Sequence, residues 1–167
     1  MSDLTRVSHE HHQRLRQYVE KLDELAECMN PDCLDSGRLR DRLPQLQELH
    51  RGLTEVLVPH MDAVEFAVYP TIERLANGSG KTAPLAMEHV EIRRLIDRIG
   101  IFAHDSEAHS DRGAVLGLHR VALRLSALLK AHLAEEELSL PILEHRLTPA
   151  QEAVLVRALD HLASAAI

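Results

Sequence analysis

The 167-residue chain has no tryptophan and only two phenylalanines and two tyrosines. With 45% apolar residues, its core must be built from Leu, Val, Ile and Ala, which favours packed helices over a sheet sandwich. Positive charge is not in excess. The net charge is -7 with histidines neutral, so a nucleic-acid partner has no electrostatic support. No apolar run approaches the roughly 20 residues that span a bilayer, and the opening MSDLTRVSHEHH holds no signal-peptide core. Cysteine is scarce too. Cys28 and Cys33, spaced as CMNPDC without neighbouring Cys or His at finger spacing, read as reduced thiols, so the expectation is a cytoplasmic protein with no membrane contact. Histidine, by contrast, occurs twelve times.

Turn-forming residues gather in three stretches: NPDCLDSGR (30–38), ANGSGKTAP (76–84) and HDSEAHSDRG (104–113). GSGKT resembles the end of a phosphate-binding loop, but the glycine required five residues before Gly80 is Leu75, and no strand precedes it. Between the turn stretches lie four long segments with helical periodicity. Their apolar stripes include Leu15, Val19 and Leu22; Leu46, Leu49, Leu53 and Leu57; Ile92, Ile96 and Ile99; and Leu118, Val121, Leu125 and Leu129. Pro44 and Pro59 interrupt the second segment, and Pro59 predicts a local irregularity just before His60. Thr148 reads as the N-cap of a shorter fifth helix, with Pro149 at its first position and Glu152 near its third. The expected fold is all-α. A single domain spans 1–167, with an up-down-up-down four-helix bundle over about 4–145 and a C-terminal helix over about 149–165.

The stripes give each helix an inward direction at about 100° per residue. On the fourth segment His132 and Glu136 lie about 20° to either side of the stripe centre, whereas Glu135 and Glu137 point about 100° away from Glu136. His60 lies within about 20° of its stripe, His89 sits at a stripe edge, and His11 and His12 straddle the stripe of the first segment. A single inward histidine is more often a hydrogen-bonded core residue than a ligand. Four segments each sending one inward, with Glu136 beside them, point instead to a metal site, because a buried carboxylate must be paired. The remaining histidines, His9, His50, His104, His109, His119, His145 and His161, fall on loops, helix ends or outward faces and read as solvated.

The halves of the chain resemble each other. EHHQRLRQYVEKL matches EHVEIRRLIDRI, pairing His12 with His89 through the apolar residues that follow, although His11 lies nearer its stripe centre. HMDAVEFAVYP matches HLAEEELSLP except for one added residue between His60 and Glu65. A π-bulge would absorb that residue, turn Glu65 onto the face of His60 and bring Tyr69 nearer. The rival reading has Val64 in the place of a lost ligand and Glu65 in solvent.

Together EHH (10–12), HMDAVEFAVYP, MEHVEIRRL (87–95) and HLAEEELSLP resemble the pattern of the hemerythrin-like, or HHE cation-binding, family over about residues 4–145. That resemblance implies a non-haem di-iron centre, its irons bridged by carboxylates and an oxo or hydroxo group. It implies His12 and His60 on one metal, His89 and His132 on the other, and Glu65 and Glu136 bridging, with Tyr69 a cofactor-binding candidate beside them. Zinc or manganese would also suit these donors. Oxygen-carrying members place a histidine four residues after the third-helix histidine. Here Arg93 stands there, so a reversible oxygen carrier is not implied. The ferritin-like alternative needs Glu-x-x-His, and no histidine here has a glutamate three residues before it.

Three functional readings follow. The chain binds or senses oxygen, nitric oxide, peroxide or iron; or it is a small di-iron redox enzyme of peroxidase type; or it is a structural bundle whose metal site has degraded. Enzyme status and oligomeric state stay open at this level.

Overall fold

The computed structural model describes residues 2–29, 36–104 and 112–164. Cys33 and His109, read above as a thiol and a solvated histidine, lie outside them, as does the side chain of His161. The fold is all-helical, with no strand among the described residues. Helix α1 spans Asp3–Cys28 and α2 spans Ser36–Gly52. A first π turn (Leu53–Leu57), α3 (Val58–Ala63), a second π turn (Val64–Val68) and α4 (Tyr69–Leu75) continue α2 as one rod. Then come α5 (Ala83–His104), α6 (Arg112–Glu144) and α7 (Pro149–Ser164). No helix among the described residues is long and apolar enough to cross a membrane.

Local chemistry sets the helix ends. Ser2 caps α1 by accepting the amide of Thr5 at 3.2 Å. Thr148 caps α7, its hydroxyl accepting the Gln151 amide while the Gln151 side chain accepts the Thr148 amide in return. Gln151 therefore completes the reciprocal cap, and Glu152 instead accepts the amide of Leu4 at 3.1 Å, tying α7 to the start of α1. After α4 the chain turns through Asn77 and Gly78, both at positive φ, a conformation that suits these two residues.

Both π turns have the same cause. Each ends one residue before an X-Pro step, at Val58-Pro59 and Tyr69-Pro70. A proline inside a helix lacks an amide proton, and its ring crowds the carbonyl four residues back. Widening the turn relieves that crowding: Val58 N–H bonds to Leu53 O and Tyr69 N–H to Val64 O, each five residues back. Pro44 is accommodated within α2.

Helix α1 packs on α6, α6 on α5, α5 on α2 and α2 on α1, closing a ring around the core. Helix α7 lies against α1 and α3. The core has two apolar clusters. The larger contains Leu15, Leu57, Met61, Ile92, Leu129 and Leu133. The smaller contains Leu4, Val7, Val64, Leu85, Leu140 and Leu159. Between them, on every rod of the ring, lies a buried polar residue or two: His11 and His12, His60, His89, and His132 with Glu136. A polar layer with grease on both sides is shielded from water, which strengthens every electrostatic interaction within it.

Candidate metal centre

Four imidazoles surround one carboxylate. The Oε2 atom of Glu136 lies 3.2 Å from Nε2 of His12 and 3.4 Å from Nε2 of His60. Its Oε1 atom lies 3.5 Å from Nε2 of His132 and 3.8 Å from Nε2 of His89. Two groups of potential ligands result, His12–His60–Glu136 and His89–His132–Glu136. Within each, the donor atoms lie within 4.8 Å of one another. Glu136 belongs to both.

A further layer of carboxylates holds the outer edges of three of these rings. Glu137 lies 3.2 Å from Nδ1 of His12, Glu65 2.7 Å from Nδ1 of His89, and Glu88 2.8 Å from Nδ1 of His132. Arg16 donates to Glu137 at 2.7 Å and Arg93 to Glu65 at 2.9 Å, fixing two of the three. Burial pushes the Glu65 carboxyl up, but Arg93 and His89 outweigh it and hold it below its ordinary value. The fourth ring differs: Nδ1 of His60 is buried without a hydrogen-bond partner.

The donor chemistry fits a cation. A neutral imidazole has a single N–H. Each of His12, His89 and His132 has a carboxylate at its outer nitrogen and Glu136 or another imidazole nitrogen at its inner one. In the neutral form that spends its N–H on the outer carboxylate, each ring presents a lone pair inward, where Glu136 offers only further lone pairs. Burial pulls the His132 pKa down, but Glu136 and Glu88 outweigh it and hold it above the ordinary value, so a shared proton or a cation relieves the repulsion there. Burial and the neighbouring His132 push the His89 pKa down to about 4, so the deficit there is not met by protonation at neutral pH. Burial alone would push the Glu136 carboxyl up. A proton or cation shared with the facing His12, His132 and His60 rings outweighs it and holds the group well below its ordinary value. A buried site with surplus lone pairs and a fixed negative charge suits positive ions.

One neutral donor enters this layer. The Tyr69 hydroxyl donates to Oε1 of Glu136 at 2.6 Å, lies 3.4 Å from Nε2 of His89, and its ring stacks on that of His89. Burial and the Glu136 charge raise the hydroxyl pKa far above its ordinary value, so it keeps its proton. Nine residues at about 100° each would set Tyr69 on the opposite side of an unbroken α-helix from His60. The second π turn removes much of that rotation.

The wide turn therefore sits at Val64–Val68, after the position where the sequence suggested it, and its effect differs. Val64 keeps the α-helical place one turn after His60, in the smaller apolar cluster. Glu65 is not turned onto the face of His60. It reaches His89 and Arg93 from the outer side, is about one-third exposed, and joins neither ligand group. His12 joins the centre. His11 is buried beside it, its ring 6.1 Å from that of His60 and its Nε2 3.9 Å from Asp160 of α7. The outer carboxylates Glu88 and Glu137 were not singled out in the sequence. Their signal is a charged residue next to an inward ligand, about 100° round the helix.

A cavity of about 20 Å³ adjoins the centre, bounded by Val64, Val68, Tyr69, Leu85, Leu159 and Glu136 among others. Its walls are almost wholly apolar. A space of that size holds about one water-sized molecule.

No curated protein and no solved structure matches the chain. A family model does match it, over residues 3–143, and is described as the hemerythrin HHE cation binding domain. All the residues of the two ligand groups fall inside that span, and so do Tyr69 and the three outer carboxylates. The chain belongs to the hemerythrin HHE cation-binding domain family.

Proposed function

We propose that the chain is a non-haem di-iron protein that binds or senses a small oxidant or diatomic molecule: oxygen, nitric oxide or peroxide. The observation that carries this reading is the sharing of Glu136 between two His–His–carboxylate groups, a donor set for two ions side by side rather than one. His12 and His60 would hold one ion, His89 and His132 the other, with Glu136 between them. Glu65, a bridging candidate in the sequence, takes instead the role of orienting His89. Zinc or manganese would fit the same donors, and iron is the reading favoured by the family pattern. When bound, two irons supply a reversible electron reservoir and open coordination positions for a small ligand.

The protein's own groups do the rest. Glu137, Glu65 and Glu88 fix the tautomer and orientation of three imidazoles. The Tyr69 hydroxyl holds a proton at Glu136. The apolar cavity has space for a molecule of about the size of a diatomic. The order in which successive rods of the ring pass the smaller and larger apolar clusters alternates, which supports an up-down-up-down bundle around the centre.

A second reading, a small di-iron redox enzyme of peroxidase type, draws on Tyr69, whose hydroxyl borders the cavity and would hydrogen-bond a ligand held there. Turnover separates the two. Iron-loaded protein given peroxide or nitric oxide consumes many equivalents if it is an enzyme and binds a stoichiometric amount if it is a sensor. Loss of both behaviours in iron-replete protein would overturn the proposal.

A further inference from the structure

At the far end of the larger apolar cluster a second pair of imidazoles meets across two rods. Nδ1 of His50, on α2, lies 3.3 Å from Nε2 of His104, at the end of α5. His89 and His104 are 15 residues apart on α5, so roughly 22 Å of helix separates this pair from the centre described above. The pair lies in a cleft open to solvent, lined also by Gln47, Glu48, Thr54 and Glu55.

The position of His50 is built rather than incidental. Gly100 faces it from α5, and a Cβ added there would lie 2.5 Å from Nε2 of His50. Glycine weakens the interior of a helix, and here it leaves a notch in which the ring rests. With its Nε2 edge in that notch, the ring presents Nδ1 to His104. Asp97, three residues before Gly100, adds negative charge toward His50.

We propose that His50 and His104 form a second, surface site for a divalent transition-metal ion such as Zn²⁺, with water completing its coordination. Two imidazole nitrogens on a tetrahedral zinc, with bonds of about 2.0–2.1 Å, are separated by about 3.3 Å. That is the spacing already present. The site joins α2 to α5 and uses one nitrogen from each. Its occupancy is independent of the buried centre.

The experiment is a titration of zinc chloride into the full chain, followed by NMR of the imidazole nitrogens and by equilibrium dialysis. The nitrogen resonances of His50 and His104 should shift together. His50→Gln or His104→Gln should each weaken zinc uptake at this site by roughly tenfold or more. Gly100→Ala should weaken it too, by displacing the His50 ring. Both histidine variants should melt with the native chain, since neither ring belongs to the core. The proposal is overturned if zinc leaves both resonances in place, if only one moves, or if both variants bind zinc as the native chain does. The pair would then be a hydrogen bond between two imidazoles and nothing more.

Discussion

The Nε2 atoms of His89 and His132 face each other at 2.8 Å, while Glu65 and Glu88 hold their outer nitrogens. Two buried imidazoles in this arrangement need a proton or a metal ion between or beside them. His132→Gln should therefore remove one ligand group and leave about one ion per chain, whereas Glu136→Gln, which serves both groups, should remove nearly all bound metal. Metal analysis of the purified variants checks this. Equal metal loss in the two variants would contradict two ions sharing one carboxylate.

The outer carboxylates should act through the rings they hold. Glu88→Gln and Glu65→Gln keep the size of the side chain but weaken the bond that fixes the imidazole, and each should cost about 10–100-fold in metal affinity. Chelator competition reads this directly. Both side chains are partly exposed, so the metal-free variants should fold as the native chain does.

Tyr69→Phe removes the hydroxyl that donates to Glu136 and leaves the ring in place. A hydrogen bond to a charged acceptor contributes about 1.5–3 kcal/mol, so the metal-free variant should lose stability of about that size in chemical denaturation. Its metal content should stay at the native level. Loss of metal as well would promote Tyr69 from hydrogen-bond donor to ligand.

Acid should loosen the turn after α4 before it unfolds the rest. Glu73 accepts the Thr82 amide at 2.7 Å, the Thr82 hydroxyl at 2.9 Å and the Gly80 amide at 2.9 Å. These bonds, those from Thr82 first, hold its carboxyl below the ordinary value of 4.5. A depressed carboxylate pKa contributes stability that is present above the ordinary value and disappears as pH falls through the folded one. The protection factors of the Gly80 and Thr82 amides, taken relative to their intrinsic exchange rates, should therefore fall as the pH drops through the folded Glu73 value, while those of neighbouring amides hold. Glu73→Gln should abolish that difference. The sequence GSGKT is thus a carboxylate-held turn.

Much of the fold was legible because periodicity and breakers act locally. The stripe through Ile92, Ile96 and Ile99 and the cap at Thr148 both reappear, and the residues the stripes turn inward, His60, His89, His132 and Glu136, are buried. Less legible was anything set by contacts between rods. Position 65 was tied to the face of His60 by counting residues along one helix, whereas its partners, His89 and Arg93, come from another. The signal for the wide turns was present in Pro59 and Pro70, each one residue beyond the point where a turn has widened and closed. The first of these turns, Leu53–Leu57, was expected only as an irregularity. His50 read as solvated because its notch depends on Gly100, fifty residues away in the chain.

The most direct test is metal quantification and the absorption spectrum of protein purified aerobically from iron-supplemented medium. Occupied ligand groups predict close to two irons per chain, near-ultraviolet bands from a bridged ferric pair, and a melting temperature that drops on chelation. Less than about a third of an ion per chain, with melting unchanged by chelator, would contradict a metal-holding core.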